Sequence, residues 1–274
     1  MGLVCFAFGV ARAGPGEPLP GAVLMRLLAD LGVSHSAARS LLLRMRREGW
    51  LTSERAGREA RYRLTPILDA VQVRIDRQLH GERPAWSGSF TGVLYTVPER
   101  YRAFRDRLRR SAQVLGYVAL RPGLLIATTD PYEQLTSLLP PHPPGSQVLR
   151  VCLTLSEPDS RQAATDLWSL DALAARCRAV LADAKDRTRR AQRHPPRGTA
   201  AFHAFAATTL PVYEVAADDP DLPAALLPPD WPGQHIGPTL HQAHQVFGPL
   251  LESYFATLTD HAAAPRRAQL TPPD

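Results

Sequence analysis

The N-terminal part of the chain combines two short helical stretches with a hairpin, and this combination limits the possible fold more than any other feature. Apolar residues recur at helical spacing from Val23 to Leu31, and Gly32 ends that helix. Ser34 follows as the N-cap of a second helix, which ends near Gly49. A short turn between two helices is typical of a helix-turn-helix.

Two strands follow the second helix around a tight turn at Ala56-Gly57. The first predicted strand is Trp50–Arg55 and the second is Arg58–Leu64. Alternate residues of the second strand are apolar on one face and charged on the other, where Arg61 and Arg63 lie. Helix, turn, helix and basic hairpin in this order predict a winged helix-turn-helix, whose second helix enters the major groove of DNA.

The middle of the chain has the pattern of a small sheet with two helices. Thr65-Pro66 opens a linker helix, and from Trp86 the apolar period changes to that of strands. The order β-α-β-β-α-β is that of a ferredoxin-like module. The predicted strands cover residues 88–97, 117–121, 124–128 and 147–155, and the predicted helices cover 99–115 and 130–139.

Beyond Pro158 the chain is predicted to be helical. A proline-rich connector from Asp219 to Pro238 precedes the last helix, and a loose tail begins at Ala262. The fold class is therefore α+β with several domains. The predicted domains are a winged helix-turn-helix at 1–65, a linker helix at 66–85, a ferredoxin-like central module at 86–157, and a helical C-terminal domain with a loose tail at 158–274.

Charge is distributed unevenly along the 274 residues, whose formal net charge is +6. Residues 1–64 carry ten basic and five acidic side chains, and residues 85–155 carry eight and four. A positive field at the front of the chain fits a polyanionic partner. Lys185 is the only lysine among 32 basic residues. The acidic C-terminal part shares this preference for arginine, so the preference mostly reflects the overall composition of the chain rather than DNA binding.

Cysteine usage and hydropathy indicate a cytoplasmic protein without a membrane segment. Cys5, Cys152 and Cys177 are widely spaced, which argues against a disulfide framework or a cysteine zinc site. We expect the apolar stretch from Leu3 to Ala11 to be a buried first helix rather than a signal peptide. Apolar runs elsewhere are shorter than the roughly 20 residues that a spanning helix needs.

The predicted DNA-binding surface consists of polar and basic side chains on the second helix and the hairpin. Early residues of such a helix reach base edges, where arginine can bind guanine O6 and N7, whereas the others bind phosphates. A solvated, purely structural face is the alternative. The set near base edges is Ser34, His35, Ser36, Arg39 and Ser40, and the phosphate set is Arg44, Arg47, Arg55, Arg58, Arg61 and Arg63.

Four further patterns together carry a resemblance to a known family. They are Leu31-Gly32-Val33-Ser34 with Ala38-Arg39; Gly49-Trp50-Leu51 with Gly57-Arg58 and Tyr62-Arg63-Leu64-Thr65; Leu94-Tyr95-Thr96-Val97-Pro98-Glu99 with Arg105-Asp106 and Leu115-Gly116-Tyr117; and Asp219-Pro220 through Leu226-Leu227-Pro228-Pro229-Asp230-Trp231-Pro232-Gly233. In these stretches the chain resembles the PaaX family of bacterial transcriptional regulators. The resemblance implies a dimeric repressor, not an enzyme and without a cofactor, which an aryl-CoA thioester or a similar acidic effector releases from its operator.

Two departures from known patterns bear on function. The middle module resembles that of the CRISPR-associated integration nuclease, whose first strand ends in a metal-binding aspartate, but Thr96 stands there and has no carboxylate. Near Pro220 this chain has Asp218-Asp219, where the family pattern places an arginine before the aspartate, so the effector here can differ. A metal-dependent nuclease and a protein-interaction module that has lost DNA binding are the alternatives to a repressor.

Two other clusters have more than one interpretation. The basic helix from Glu99 to Arg110 fits a second DNA contact, a dimer surface or an exposed amphipathic helix. His241 and His244 are spaced as a metal-binding pair is, with His235 nearby. No metal site is predicted, because these histidines have no nearby cysteine and the acidic residues are dispersed. No serine, cysteine or histidine stands in a recognisable nucleophile motif, so no catalytic residue is predicted.

Overall fold

The computed structural model describes residues 2–11, 17–57 and 59–263, without the side chains of residues 67, 69–72, 74 and 257–263. The chain forms two compact units. Unit 1 comprises residues 1–64, 186–210 and 242–274, and unit 2 comprises residues 65–185 and 211–241. Arg58 of the predicted DNA-binding set and the end of the predicted loose tail, from residue 264, lie outside the described residues.

The front of unit 1 contains three helices and a small antiparallel sheet. The predicted hairpin is present, with Leu51 opposite Leu64 in register. A two-residue strand at Leu19–Pro20, too short to leave a period in the sequence, adds a third strand beside it. The elements are α1 (Gly2–Val10), β1 (Leu19–Pro20), α2 (Gly21–Asp30), α3 (His35–Arg47), β2 (Leu51–Ala56) and β3 (Glu59–Leu64).

Glycines stop both helices of the predicted pair, as the sequence indicates. Gly32 follows α2 and Gly49 follows α3, and their φ angles of 84° and 79° lie in the left-handed region that glycine adopts readily. Apolar faces of the two helices form the front part of the unit 1 core. The fully or almost fully buried side chains there are Leu24, Leu27, Leu28, Ala38, Leu42 and Met45.

Aromatic side chains from distant parts of the sequence complete the core of unit 1. The predicted first helix is present as α1, and its Phe6 stacks on Phe205 with 6.2 Å between ring centroids. Phe205 also meets Phe247 edge to face at 5.8 Å, and Phe202 stacks on Tyr254 at 4.4 Å. Unit 1 therefore depends on residues that lie about 140 to 190 positions beyond the hairpin.

Unit 2 contains the linker helix and a four-stranded antiparallel sheet. Its strands in chain order are β4 (Phe90–Thr96), β5 (Val118–Arg121), β6 (Leu124–Ala127) and β7 (Gln147–Leu153). The strand order in the sheet is β5-β6-β4-β7, and Leu94 of β4 faces Leu124 of β6 and Leu149 of β7. The predicted β-α-β-β-α-β order is observed, although a single turn of 3-10 helix at Glu99–Tyr101 precedes α5. The helices are α4 (Pro66–Leu79), α5 (Arg102–Val114), α6 (Tyr132–Leu138) and α7 (Glu157–Leu167).

The C-terminal part is helical, as predicted. Helices α8 (Leu170–Arg193), α9 (Thr199–Asp218) and α10 (Ile236–Ala263) each contribute residues to both units. The predicted connector is three residues too long at its end, because α10 begins at Ile236. Proline is tolerated in the first turn of a helix, where its missing N–H has no intrahelical partner to lose.

A core cluster of unit 2 joins the sheet to the start of α8 and to the segment between α9 and α10. Phe90 and Ile126 of the sheet pack in one cluster with Leu170, Leu222 and Trp231.

Within the described residues, no helix is both long and apolar enough to cross a membrane.

Candidate nucleic-acid interface

Helix α3 is fixed at its start by Ser34. The backbone N–H of Ala37 donates to the Ser34 Oγ at 3.3 Å, which satisfies one of the free N–H groups at the helix start. Ala38, Leu42 and Met45 point inward and are buried. Because these three residues define the inner side of the helix, the opposite side is left for solvent or a partner.

The predicted residues of α3 lie on this outer side and at its edges. The N-cap Ser34 is exposed. The predicted residues within the helix are exposed as well, and they are His35, Ser36, Arg39, Ser40, Arg44 and Arg47. Arg46 is also exposed, and the sequence analysis missed it. Its position seven residues after Arg39, two helical turns further on, is the signal that could have identified it.

The hairpin carries less free positive charge than its sequence indicates. The register places Glu54 opposite Arg61, and Arg63 Nη2 lies 3.4 Å from Glu54 Oε1. Glu59 shares this face, since alternate residues of a strand point the same way. Arg55 lies on the other face, opposite Ala60, and is exposed. Arg63 is therefore already paired with an acid.

Most of the remaining predicted arginines have no acidic partner. Within residues 2–11, 17–57 and 59–263, no ion pair engages Arg39, Arg44, Arg46, Arg47, Arg55 or Arg61. Arg26 differs, because its Nε donates to Asp30 Oδ2 at 2.9 Å and this bond raises the pKa of Arg26. Burial, and then the 2.7 Å hydrogen bond to Asp30, raise the pKa of the Tyr254 hydroxyl. The exposed arginines of α3, together with Arg55 and Arg61 of the hairpin, thus keep their charge free of internal ion pairs within the described residues.

The basic helix α5 of unit 2 is partly neutralised by its own neighbours. Arg105 donates to Glu99 at 2.7 Å, which lowers the pKa of Glu99, and Arg102 lies 3.6 Å from Asp106. Arg107 donates to the backbone carbonyl of Leu138 in α6. Such contacts are typical of a helix surface that is stable by itself, and they leave the three interpretations of this helix open.

The aspartates near Pro220 have a structural environment that the sequence did not reveal. Asp219 is buried and accepts two hydrogen bonds from Arg83, at 2.7 and 2.9 Å. Trp231 Nε1 donates to the same carboxylate at 3.2 Å. Burial works to lower the pKa of Arg83, but the bonds and charges of the aspartates outweigh it and raise that pKa. The carboxylate of Asp219 is therefore committed to this internal network.

The described part of the chain contains no candidate metal site. No three histidine, cysteine, aspartate or glutamate side chains there lie close enough together to hold a metal ion. Thr96 ends β4 opposite Gln147 and is exposed. Neither side chain carries a carboxylate for a divalent ion at this end of the strand. Cys177 is buried, and burial raises the pKa of its thiol to about 11.

Three family models match consecutive parts of this chain. The PaaX-like protein model matches residues 7–67, the PaaX protein central Cas2-like domain matches residues 83–160, and the PaaX-like protein C-terminal domain matches residues 168–257.

A named relative agrees with this assignment, and a protein of known structure is also similar to the chain. The transcriptional repressor PaaX of Escherichia coli (strain K12) is 26% identical over 227 residues, which cover 77% of this chain and 68% of the relative. An uncharacterized protein from Mycobacterium tuberculosis, of known structure, is 23% identical, with a TM-score of 0.48 over 92% of this chain and 95% of the other. Since the three models follow one another along the chain in the order that the sequence motifs indicate, the chain belongs to the PaaX family.

Proposed function

We propose that this protein is a transcriptional repressor that binds double-stranded operator DNA. The observation that carries the proposal is the outer side of α3, where hydroxyl and unpaired guanidinium groups are exposed together. The hairpin β2-β3 follows directly, so residues 1–65 fit a winged helix-turn-helix with α3 as its recognition helix. The name of the Escherichia coli relative, a transcriptional repressor, supports the same function.

Different residues have different tasks in this proposal. Ser34, His35, Ser36, Arg39 and Ser40 lie in the first part of α3, where base edges are within reach. Cations near the end of the helix and on the hairpin bind phosphates, which gives affinity without sequence preference. This second group contains Arg44, Arg47, Arg55, Arg58, Arg61 and Arg63, and we add Arg46 to it.

The proposal extends to the rest of the chain. The strand order β5-β6-β4-β7 supports a ferredoxin-like module at 86–157, followed by a helical C-terminal domain at 158–274. By the family resemblance, the repressor is a cytoplasmic homodimer whose operator affinity falls when an aryl-CoA or similar acidic effector binds, because the effector prefers the arrangement that does not fit DNA. Titration of an aryl-CoA thioester into the protein–operator complex tests this coupling, and unchanged DNA affinity contradicts it.

Site-directed variants test the DNA-binding assignment. The operator is first identified by selecting bound sequences from a random duplex pool. Arg39→Ala should lower the preference for the selected sequence over a scrambled one by about 1–3 kcal/mol, the worth of a bidentate base contact. Arg61→Ala should weaken the binding of both duplexes by the same factor and reduce the slope of log affinity against log salt concentration by about one. Fluorescence anisotropy on both duplexes at several salt concentrations measures both quantities.

Arg63→Ala is the matched control for Arg61. Both arginines lie on the same strand face, but Arg63 is paired with Glu54 and therefore releases fewer counterions on binding. We expect a smaller change in salt slope for Arg63→Ala than for Arg61→Ala. Equal binding of the selected and scrambled duplexes by the wild-type protein contradicts the proposed function, and cleavage of either duplex in Mg²⁺ points to the nuclease alternative.

A further inference from the structure

Leu43 is an apolar side chain in the middle of the polar side of α3. It is 47% exposed, whereas Ala38, Leu42 and Met45 fill the core side of the helix. Helical spacing places it next to Ser40, three residues before it, and between Arg39 and Arg47, each four residues away. An aliphatic group therefore lies among the hydroxyl and guanidinium groups proposed to meet DNA.

Nearly half of the surface of Leu43 lies outside the core of unit 1. Among the described residues of unit 1, Leu43 is the only large hydrophobic side chain that is exposed. A leucine that meets only water favours the helix but leaves apolar area exposed, which is unfavourable. The position therefore fits an apolar partner surrounded by anionic or polar groups.

The major groove of DNA offers one such group. Thymine presents its C5-methyl there, beside hydrogen-bonding base edges and between two rows of phosphates. Arginines on both sides of Leu43 match the phosphates, and Ser40 matches a base edge or a phosphate. No other single surface provides a methyl group, base-edge acceptors and phosphates within the width of one helix.

We infer that Leu43 determines sequence preference by packing on the C5-methyl of a thymine in the operator. The inference rests on the proposed function, because it requires that α3 enters the major groove. It adds an apolar contact to a set that sequence reasoning restricted to polar and basic residues. A protein partner that covers Leu43 is the competing explanation, and the experiment separates the two.

The experiment removes the methyl group from the DNA and the side chain from the protein. Each thymine of the selected operator is replaced in turn by deoxyuridine, which lacks only the C5-methyl. For the wild-type protein, the replacement at one position of each half-site should lower the affinity for the operator about fourfold. This is the factor expected for the loss of one buried methyl-sized group. For Leu43→Ala, the same substitution should change affinity by less than about 1.5-fold, because the contact is already absent.

Val73→Ala is the matched control, since Val73 is a 50% exposed aliphatic residue on helix α4 of unit 2. It should show the same sensitivity to deoxyuridine as the wild type. Failure of the wild-type protein to select any sequence refutes the proposed function itself. Selection of a sequence whose deoxyuridine effect is absent, or is equal in wild type and Leu43→Ala, overturns only the assignment of Leu43.

Discussion

Asp218 and Asp219 are neighbours in the sequence with opposite environments. Asp219 is 2% exposed and bound by Arg83 and Trp231, whereas Asp218 pairs with Arg176 on the surface. Gly233 lies so close that a Cβ there would come within 3 Å of Trp231 Nε1, Arg83 Nη2 and Asp219 Oδ2. The buried network therefore needs a glycine as well as its charged pair.

Substituting each aspartate by asparagine separates these environments. Asp219→Asn leaves the charge of Arg83 buried without its main partner, and we expect the free energy of unfolding to fall by about 3 kcal/mol or more. Asp218→Asn breaks only an exposed pair, for which we expect a loss of about 1 kcal/mol or less. Urea unfolding followed by circular dichroism measures both values. Equal losses contradict a stabilising role of the buried network.

Two variants of Ser34 separate the contribution of helix α3 to stability from its contribution to DNA binding. Ser34→Ala removes the acceptor for the Ala37 N–H, and we expect a loss of about 1 kcal/mol in unfolding free energy. Ser34→Asp keeps an acceptor at the N-cap, so stability should be preserved. It also adds a negative charge at the helix start, which faces the polyanionic DNA in the proposed complex, so DNA affinity should fall.

Urea unfolding and operator binding, measured on both Ser34 variants, give the comparison. Loss of stability in Ser34→Asp equal to that in Ser34→Ala contradicts the capping role. Unchanged DNA affinity in a stable Ser34→Asp protein contradicts the placement of the start of α3 against the DNA.

Local elements of this chain follow from local sequence, and their pairing does not. Gly32 and Gly49 mark the ends of α2 and α3 because a left-handed residue stops a helix wherever it lies. The exposure of Arg39 likewise follows from the 3.6-residue period. The bond between Arg63 and Glu54 depends on the register of two strands, and no residue of the hairpin shows by itself that this arginine is neutralised.

At the scale of the whole molecule, unit 1 is assembled from three separate segments of the chain. Asp30 at the end of α2 accepts a hydrogen bond from Tyr254 of α10, and Phe6 of α1 stacks on Phe205 of α9. Periodicity cannot reveal such contacts, because it reports which side of a helix is apolar and not which distant helix covers it. The front segment is predicted from sequence, and its partners in α9 and α10 are not.

A fragment of residues 1–65 tests how far this front segment depends on its distant partners. It keeps α2, α3 and the hairpin but leaves Phe6 without α9 and Asp30 without α10, so apolar area that is buried in unit 1 becomes exposed. We expect the fragment to lack a cooperative thermal transition under conditions where the full chain is folded.

In the full chain, Phe205→Ala should lower the unfolding free energy by about 3–5 kcal/mol, since it leaves a cavity between Phe6 and Phe247. Circular dichroism of the fragment, the variant and the wild type measures both effects, and a fragment that unfolds cooperatively at the midpoint of the full chain contradicts the dependence.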